Sequence, residues 1–164
     1  LRENTRGPVV LAGHSTGAQA ALRAALAAPD SVAALLLAGP TFAPQTRRTA
    51  HLVRAWARTT RREPSSGAAA VAGEYRRAGV RALTRYVRSG LRDRPEDILA
   101  RVGCPVLLAT GQHDHFAPPG WVRRLATIAS DGRAVTVAGA HAFPYSHPDR
   151  FADLVAEAAA AAHR

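Results

Sequence analysis

The sequence predicts an α/β fold in which a mostly parallel sheet is flanked by helices and interrupted by a helical insertion. Short apolar runs, such as Val32 to Ala38 and Pro105 to Thr110, show no alternation of apolar and polar residues. Strands of parallel sheets have this pattern because helices cover both of their faces. Segments with apolar residues at helical spacing separate the runs. The length of 164 residues suits one such domain.

The chain begins with a strand, a tight turn, a helix and a second strand. Val9 to Ala12 form the first apolar run, and residues 13–17 form a glycine-containing turn. Residues 18–28 are rich in Ala and Leu, which predicts a helix that ends before Pro29. Val32 to Ala38 then form the second strand. The turn therefore joins the end of a strand to the start of a helix.

Residues 41–101 differ in composition and are predicted to form an inserted helical segment. They are rich in Arg and are interrupted by Pro44, by residues 63–67 and by several glycines. The flanking residues, 1–40 and 102–164, are predicted to form the α/β core. Three arginines of the insertion recur at helical spacing on a face that we expect to be solvated: Arg81, Arg85 and Arg88.

The last third of the chain returns to alternating strands and helices. Pro105 to Thr110 form the third strand, residues 122–129 a helix, and Ala134 to Val137 a fourth strand. A final helix is predicted to start near Ser146, with this hydroxyl and the Asp149 carboxylate satisfying free N–H groups at its amino end.

The basic composition reflects arginine usage rather than a binding surface. The formal net charge is +10 and all 22 basic residues are Arg, in an Ala-rich chain typical of a G+C-rich genome. No basic stripe is interleaved with aromatic residues, so we expect neither nucleic acid nor a membrane as partner. The absence of Lys excludes a Walker A loop and Schiff-base chemistry. We expect no cofactor.

The sequence also leads to expectations about the cellular compartment and about residues that precede Leu1. The single cysteine, Cys104, allows no internal disulfide and is expected to be a buried thiol. No apolar window has the length of a membrane span and no signal peptide is present, so we expect a cytoplasmic protein. The chain opens at Leu1 without Met, and we expect further residues to precede it.

The turn after the first strand carries a motif with chemical meaning. Gly13-His14-Ser15-Thr16-Gly17 fits G-x-S-x-G, and it lies between a strand and a helix, as a nucleophile elbow requires. Such an elbow favours glycine on both sides of the serine, because a β-carbon at either position would contact the strand or the helix. The alternative is a glycine-rich turn without chemistry.

Other residues offer weaker candidate sites. The run His113-Asp114-His115, together with His141 and His147, suggests a metal cluster, but no H-E-x-x-H spacing is present and the elbow would be unexplained. We therefore expect no metal. His14, His51 and His147 are interpreted as surface or packing histidines, and Cys104 as a structural residue.

From the elbow onward, the sequence resembles the α/β-hydrolase superfamily, in its serine-nucleophile members with a helical cap. The third strand is followed by residues 111–118, similar to the family's G-x-x-D-x-x-x-P segment, which makes Asp114 the triad acid. Gly139-Ala140-His141 follows the last strand, where the family has its catalytic histidine. The order Ser, Asp, His is also that of the family.

The resemblance implies a role for each of these residues. Ser15 is the nucleophile, His141 the general base and later acid, and Asp114 the group that orients the imidazole. The backbone N–H of Thr16 is one oxyanion donor, and the second comes from a loop after an earlier strand. Residues 41–101 correspond to the cap, where Leu52, Trp56 and Tyr86 are candidates for the substrate pocket.

By the same resemblance, the chain is the carboxyl-terminal portion of the α/β-hydrolase fold and lacks its amino-terminal strands. The elbow strand, central in the family, would then be an edge with unpaired backbone groups. We expect such a chain to be marginally stable, or to self-associate through the exposed sheet edge.

The function predicted is a serine hydrolase, esterase-like, that cleaves a small ester or related acyl substrate through an acyl-enzyme. Ser15 disfavours members with an aspartate nucleophile, such as haloalkane dehalogenases. Carbon–carbon hydrolases and cofactor-free haloperoxidases remain alternatives. A third is a non-catalytic or truncated binding protein that keeps the triad on an incomplete scaffold.

Overall fold

The computed structural model describes residues 7–163, apart from the side chains of residues 65–71, 74 and 75. Its sheet has four strands that all pair in parallel, in the spatial order β1-β2-β3-β4. The strands are β1 (Val9–His14), β2 (Val32–Ala38), β3 (Val106–Gly111) and β4 (Gly132–Val137). The predicted parallel sheet is confirmed.

Six α-helices lie within the described residues. They are α1 (Thr16–Ala27), α2 (Thr49–Thr60), α3 (Ser65–Arg92), α4 (Pro119–Ile128), α5 (Phe143–Ser146) and α6 (Pro148–Ala161). Short 3₁₀ turns cover Pro29–Ser31, Pro44–Arg47, Pro95–Asp97 and Leu99–Arg101. None of the helices of the described chain is long and apolar enough to cross a membrane.

The strand residues are apolar throughout because the sheet is covered on both sides. Leu35 and Leu37 of β2 pack in a cluster with residues of α1 and α4. Leu36, between them, points to the opposite face and packs in a cluster with Phe143 and Leu154 of α5 and α6. Each fully buried Leu contributes roughly 1.5–3 kcal/mol to stability. The two clusters hold β2 and β3 rigidly, and these strands carry the loops described below.

The amino end of α6 differs from the sequence-based expectation. His147 precedes the helix, and no side chain caps it. Ser146 belongs to the short helix α5, and its hydroxyl contacts the His147 ring Nδ1 at 2.9 Å. The predicted Ser146 and Asp149 cap is therefore wrong, because the chain is already helical one turn earlier. Cys104 is only half-buried rather than fully buried, and burial raises the pKa of its thiol.

Two helices, α2 and α3, occupy most of residues 41–101. Gly79 interrupts α3 with φ 76° and ψ 164°, a conformation that favours glycine. Five large apolar side chains of this segment are exposed: Val53, Trp56, Val80, Leu83 and Tyr86. The boundaries of a separate cap unit stay a prediction.

Strand β1 lies at one edge of the four-stranded sheet. It pairs with β2, and Val9, Val10 and Leu11 are only partly buried within the described chain. Edge strands present backbone groups that can pair with another chain. Self-association through this edge stays a prediction.

Candidate active site

Ser15 lies on the turn between β1 and α1, in a conformation that a serine rarely adopts. Its φ is 56° and its ψ is −120°, and it is the only non-glycine with positive φ among the described residues. Such backbone strain costs on the order of 1–3 kcal/mol and clusters at functional sites. The Ser15 N–H donates to the Ala38 carbonyl at 2.9 Å, which ties the turn to the end of β2.

The two glycines of the elbow do different things. A β-carbon on Gly13 would lie 2.4 Å from the Gly17 carbonyl oxygen, so only glycine fits there. A β-carbon on Gly17 would have no heavy atom within 4 Å. The expected steric need for glycine therefore holds at Gly13 and not at Gly17. The close approach is between Gly13, near the end of β1, and the backbone of the first turn of α1.

The structure brings Ser15, His141 and Asp114 together from three separate strand–helix connections. Ser15 Oγ lies 3.0 Å from His141 Nε2, and His141 Nδ1 lies 2.7 Å from Asp114 Oδ2. The first contact joins residues 126 positions apart, and the second joins residues 27 apart. The three side chains thus form a continuous hydrogen-bonded line from a hydroxyl through an imidazole to a carboxylate.

The ends of β3 and β4 place Asp114 and His141. A β-carbon on Gly111, the last residue of β3, would lie 2.1 Å from the Ala140 carbonyl oxygen, so the His141 loop rests directly on this glycine. The Asp114 N–H donates to the Gly111 carbonyl at 3.0 Å and closes the turn. Gly139, with φ 98°, redirects the chain after β4. Both loops therefore depend on glycines.

Asp114 is fully buried and its two oxygens have separate partners. Oδ1 accepts the N–H groups of Phe116 at 2.8 Å and Ala117 at 3.0 Å, while Oδ2 faces His141. Burial disfavours the carboxylate, but the His141 ring and these N–H donors outweigh it and hold the pKa of Asp114 below its usual value. Asp114 is accordingly an ionised, fixed acceptor.

The pKa of His141 shifts in the opposite direction. Burial alone lowers the pKa of an imidazole, yet the charge and hydrogen bond of Asp114, with a further contribution from Glu63, raise the pKa of His141 above its usual value. Phe116 contacts the ring edge-on, with centroids 5.1 Å apart. The protonated form of His141 is therefore more favoured in this site than it is for a free imidazole in water.

His14, interpreted from the sequence as a surface or packing residue, supports the His141 loop. Its Nε2 lies 2.8 Å from the His141 carbonyl oxygen, which only accepts, so this nitrogen donates the hydrogen bond. The two rings are tilted, with centroids 5.0 Å apart. Burial and the nearby His141 lower the pKa of His14 to about 4, so His14 is neutral at pH 7.

The lowered pKa of His14 predicts a loss of stability in acid. In the unfolded chain this imidazole binds a proton near pH 6.5, whereas in the folded chain it does so only near pH 4. The free energy of unfolding therefore falls as the pH is lowered from about 6.5 to 4. Across this range, we expect the melting temperature of His14→Gln to fall less steeply than that of the unchanged chain.

His163, exposed near the carboxyl terminus, provides the matched control. We expect His163→Gln to keep the pH dependence of the unchanged chain. Equal slopes for all three proteins would show that folding does not lower the pKa of His14.

Thr16 is the first residue of α1, and its N–H therefore has no acceptor within the helix. This N–H adjoins Ser15 at the amino end of the helix, where the helix dipole favours negative charge. The arrangement offers one backbone donor to an oxygen that becomes negative beside the serine.

The predicted pocket residues lie on the inserted helices. Trp56 is 59% exposed on α2, and Tyr86 is 49% exposed on α3, while Leu52 is partly buried. Tyr86 lines an open groove that Thr16 and Gly17 of the elbow also line. A role of Leu52, Trp56 and Tyr86 in binding substrate stays a prediction.

Three further residues beside the triad were not found from the sequence. Gly39 has φ 50°, and its β-carbon position lies 3.0 Å from His141 Cε1. Glu63 accepts the Ala142 N–H, and Phe116 packs on the His141 ring. The only sequence signals were a glycine directly after β2 and a single acid within an arginine-rich stretch.

Comparisons with known proteins point to one family. Residues 1–154 match the alpha/beta hydrolase family. A search of curated protein sequences found no match.

Solved structures show the same fold. A thermophilic esterase from Thermogutta terrifontis, with malate bound, has a TM-score of 0.67 at 23% identity, over 96% of this chain and 66% of that one. A serine hydrolase involved in carbazole degradation has a TM-score of 0.70 at 21% identity, over 96% and 65%. An E-2-(acetamidomethylene)succinate hydrolase has a TM-score of 0.65 at 21% identity, over 98% and 69%.

The chain spans about two thirds of the length of these structures. At such identities the structural likeness shows the fold alone, whereas the family match covers nearly the whole sequence. The strained serine between β1 and α1, the parallel sheet and this match lead to one conclusion: the chain belongs to the α/β-hydrolase family.

Proposed function

We propose that this chain carries the catalytic residues of a serine hydrolase that cleaves a small, mostly apolar ester or related acyl substrate. The observation that carries the proposal is the line of contacts from Ser15 Oγ to His141 Nε2, at 3.0 Å, and from His141 Nδ1 to Asp114 Oδ2, at 2.7 Å. Both distances suit proton transfer and orientation. The esterase among the similar structures supports the same reaction class.

The reaction follows from the protonation states. As Ser15 Oγ attacks the acyl carbon, His141 Nε2 takes its proton, and Asp114 stabilises the imidazolium that forms. The N–H of Thr16 donates to the carbonyl oxygen as it becomes negative. The bond to the leaving alcohol breaks, and the imidazolium returns its proton to that alcohol. A water molecule, activated by His141, then releases the acid and regenerates Ser15.

Residues 41–101 are proposed as a cap over this site. Trp56 and Tyr86 present exposed aromatic surface on that segment, and Leu52 adds a partly buried aliphatic side chain. Apolar lining of this kind suits an apolar acyl group. The family resemblance implies a second oxyanion donor from a loop after an earlier strand.

A fluorophosphonate probe tests the nucleophile, since it reacts with activated serines and phosphonylates the oxygen. We expect labelling at Ser15, none in Ser15→Ala, and a severe loss in His141→Ala, with kcat for a short-chain ester reduced on the order of 10⁴-fold or more in both variants. Intact-mass spectrometry and peptide mapping measure the labelling.

Ser130 is the matched control, because it is an exposed serine whose hydroxyl bonds the Ala100 carbonyl, away from the elbow. Ser130→Ala should be labelled like the unchanged protein. Labelling that persists in Ser15→Ala would overturn the assignment of the nucleophile.

A further inference from the structure

Glu63 connects the inserted helices to the loop that carries His141. It lies between α2 and α3, and its Oε1 accepts the backbone N–H of Ala142 at 2.8 Å. Ala142 directly follows His141, so this contact fixes the backbone from which the imidazole projects. The other carboxylate oxygen, Oε2, is buried and has no hydrogen-bond partner among the described residues.

A buried carboxylate oxygen without a partner is costly to stability. Leaving a buried polar atom unsatisfied lowers the free energy of unfolding, and more so when the group is charged. Native structures hold few such atoms, and a functional role is one of the reasons for which a fold retains them. The fold thus retains a carboxylate that accepts a hydrogen bond from the His141 loop at 2.8 Å and whose other oxygen is buried.

The end of α2 makes a second contact of the same kind. Thr59, which is 1% exposed, accepts the His115 N–H through Oγ1 at 3.0 Å. His115 directly follows Asp114, as Ala142 follows His141. Side chains from one short segment, Thr59 to Glu63, therefore bind the backbone just after both members of the acid–base pair.

The charges that face His141 come from several elements. Asp114, after β3, contacts Nδ1, and Glu63 adds negative charge from the α2–α3 connection. His14, at the end of β1, faces the ring but is neutral at pH 7 because burial lowers its pKa to about 4. Asp114 and Glu63 are therefore the two groups whose charge raises the pKa of His141 against the effect of burial.

We propose that Glu63 is a positioning residue for the general base: its carboxylate holds the His141 loop through the Ala142 N–H and brings a second negative charge to that loop. This inference rests on the proposed serine-hydrolase function. Through Glu63, the position of the inserted helices determines where the His141 loop lies and which charges surround it.

Two variants separate position from charge. Glu63→Gln keeps a carbonyl oxygen that can accept the Ala142 N–H but removes the charge, whereas Glu63→Ala removes both. Glu157→Gln, on α6, is the matched control, because Glu157 forms surface ion pairs with Arg133 and Arg150. Circular dichroism confirms that each variant is folded before it is compared.

The first readout needs no substrate. The His141 ring is titrated by NMR in isotope-labelled protein, with its signals assigned by their loss in His141→Ala. We expect the His141 titration midpoint to move to lower pH in Glu63→Gln, and to stay unchanged in Glu157→Gln. An unchanged midpoint in folded Glu63→Gln would overturn the proposed electrostatic role.

The second readout is the pH profile of ester hydrolysis. In Glu63→Gln the rising acidic limb of kcat/KM should move to lower pH, with the plateau retained, because His141 stays in place but loses its proton more readily. Glu63→Ala should lose about tenfold or more of kcat at all pH values, since a misplaced base is a poor catalyst. Equal kcat losses in both variants would overturn the positioning role.

These results are distinguishable from a failure of the proposed function. If Ser15 is not the nucleophile, turnover is unaffected by Ser15→Ala, while the NMR titration still reports whether Glu63 acts on His141. A shifted His141 midpoint together with a shifted pH profile supports the inference.

Discussion

Replacing Asp114 with Asn should reduce kcat/KM for ester hydrolysis by about 10⁴-fold while leaving the fold intact. The reason lies in how the two carboxylate oxygens are used. Oδ1 accepts two backbone N–H groups, from Phe116 and Ala117, so the amide oxygen of Asn must take that place. The NH₂ group then faces His141 Nδ1.

An NH₂ group at this position inverts the His141 tautomer. It donates to Nδ1, which must then be the unprotonated nitrogen, and the ring proton moves to Nε2. Nε2 faces the Ser15 hydroxyl and can no longer accept its proton. Rotating the amide to avoid this would place NH₂ against two N–H donors.

Asp153→Asn on α6 serves as the control, because its carboxylate is mostly exposed and only forms a long contact with Arg150. Steady-state kinetics at a fixed pH measure the effect, and circular dichroism measures folding. A loss of less than tenfold in Asp114→Asn would mean that Asp114 does not set the state of His141.

Replacing Gly39 with Ala should lower kcat by about 100-fold, although the side chain added is a single methyl group. The new β-carbon would lie 3.0 Å from His141 Cε1, 3.1 Å from Nδ1 and 3.4 Å from Asp114 Oδ2. Nδ1 and Oδ2 are the two atoms of the contact between His141 and Asp114. A misplacement of about 1 Å in a catalytic group costs about 100-fold in rate.

The backbone of Gly39 adds a cost in stability. Its φ of 50° lies in the left-handed region, which disfavours residues with a β-carbon by roughly 1–2 kcal/mol. Gly103→Ala is the matched control, because a β-carbon there would meet nothing within 4 Å. Kinetics and thermal unfolding of both variants provide the measurement. Equal rates in the two variants would show that the His141 ring moves freely away from residue 39.

The strands could be predicted from the sequence because they depend on local signals, and Asp114 and His141 could be predicted from the resemblance to the family. The bounds of β2 agree at both ends, since its seven residues are all apolar and are enclosed by sheet neighbours and helices. Ser15 sits in a motif whose strand and helix can be read from adjacent residues. Asp114 and His141 follow strands in the family's order, and the structure places both beside Ser15.

The residues that support the triad could not be predicted, because their roles depend on packing between distant segments. Glu63 reads as one acid among arginines, and only the folded chain brings it to Ala142, 79 positions away. His14 is interpreted from the sequence as a surface or packing residue, and only the structure shows that its ring donates a hydrogen bond to the His141 carbonyl. Gly39 is one of 13 glycines, and it matters because the His141 ring, from another loop, packs against it.

The span of 126 residues between Ser15 and His141 has a consequence for how the site is assembled. Contacts between residues so far apart in sequence form late in folding, because a long loop must close before they add stability. During synthesis the serine leaves the ribosome long before the histidine does. A nascent chain that ends before β4 therefore carries an unactivated serine, and reactivity toward a fluorophosphonate reports that the last strand has joined the sheet.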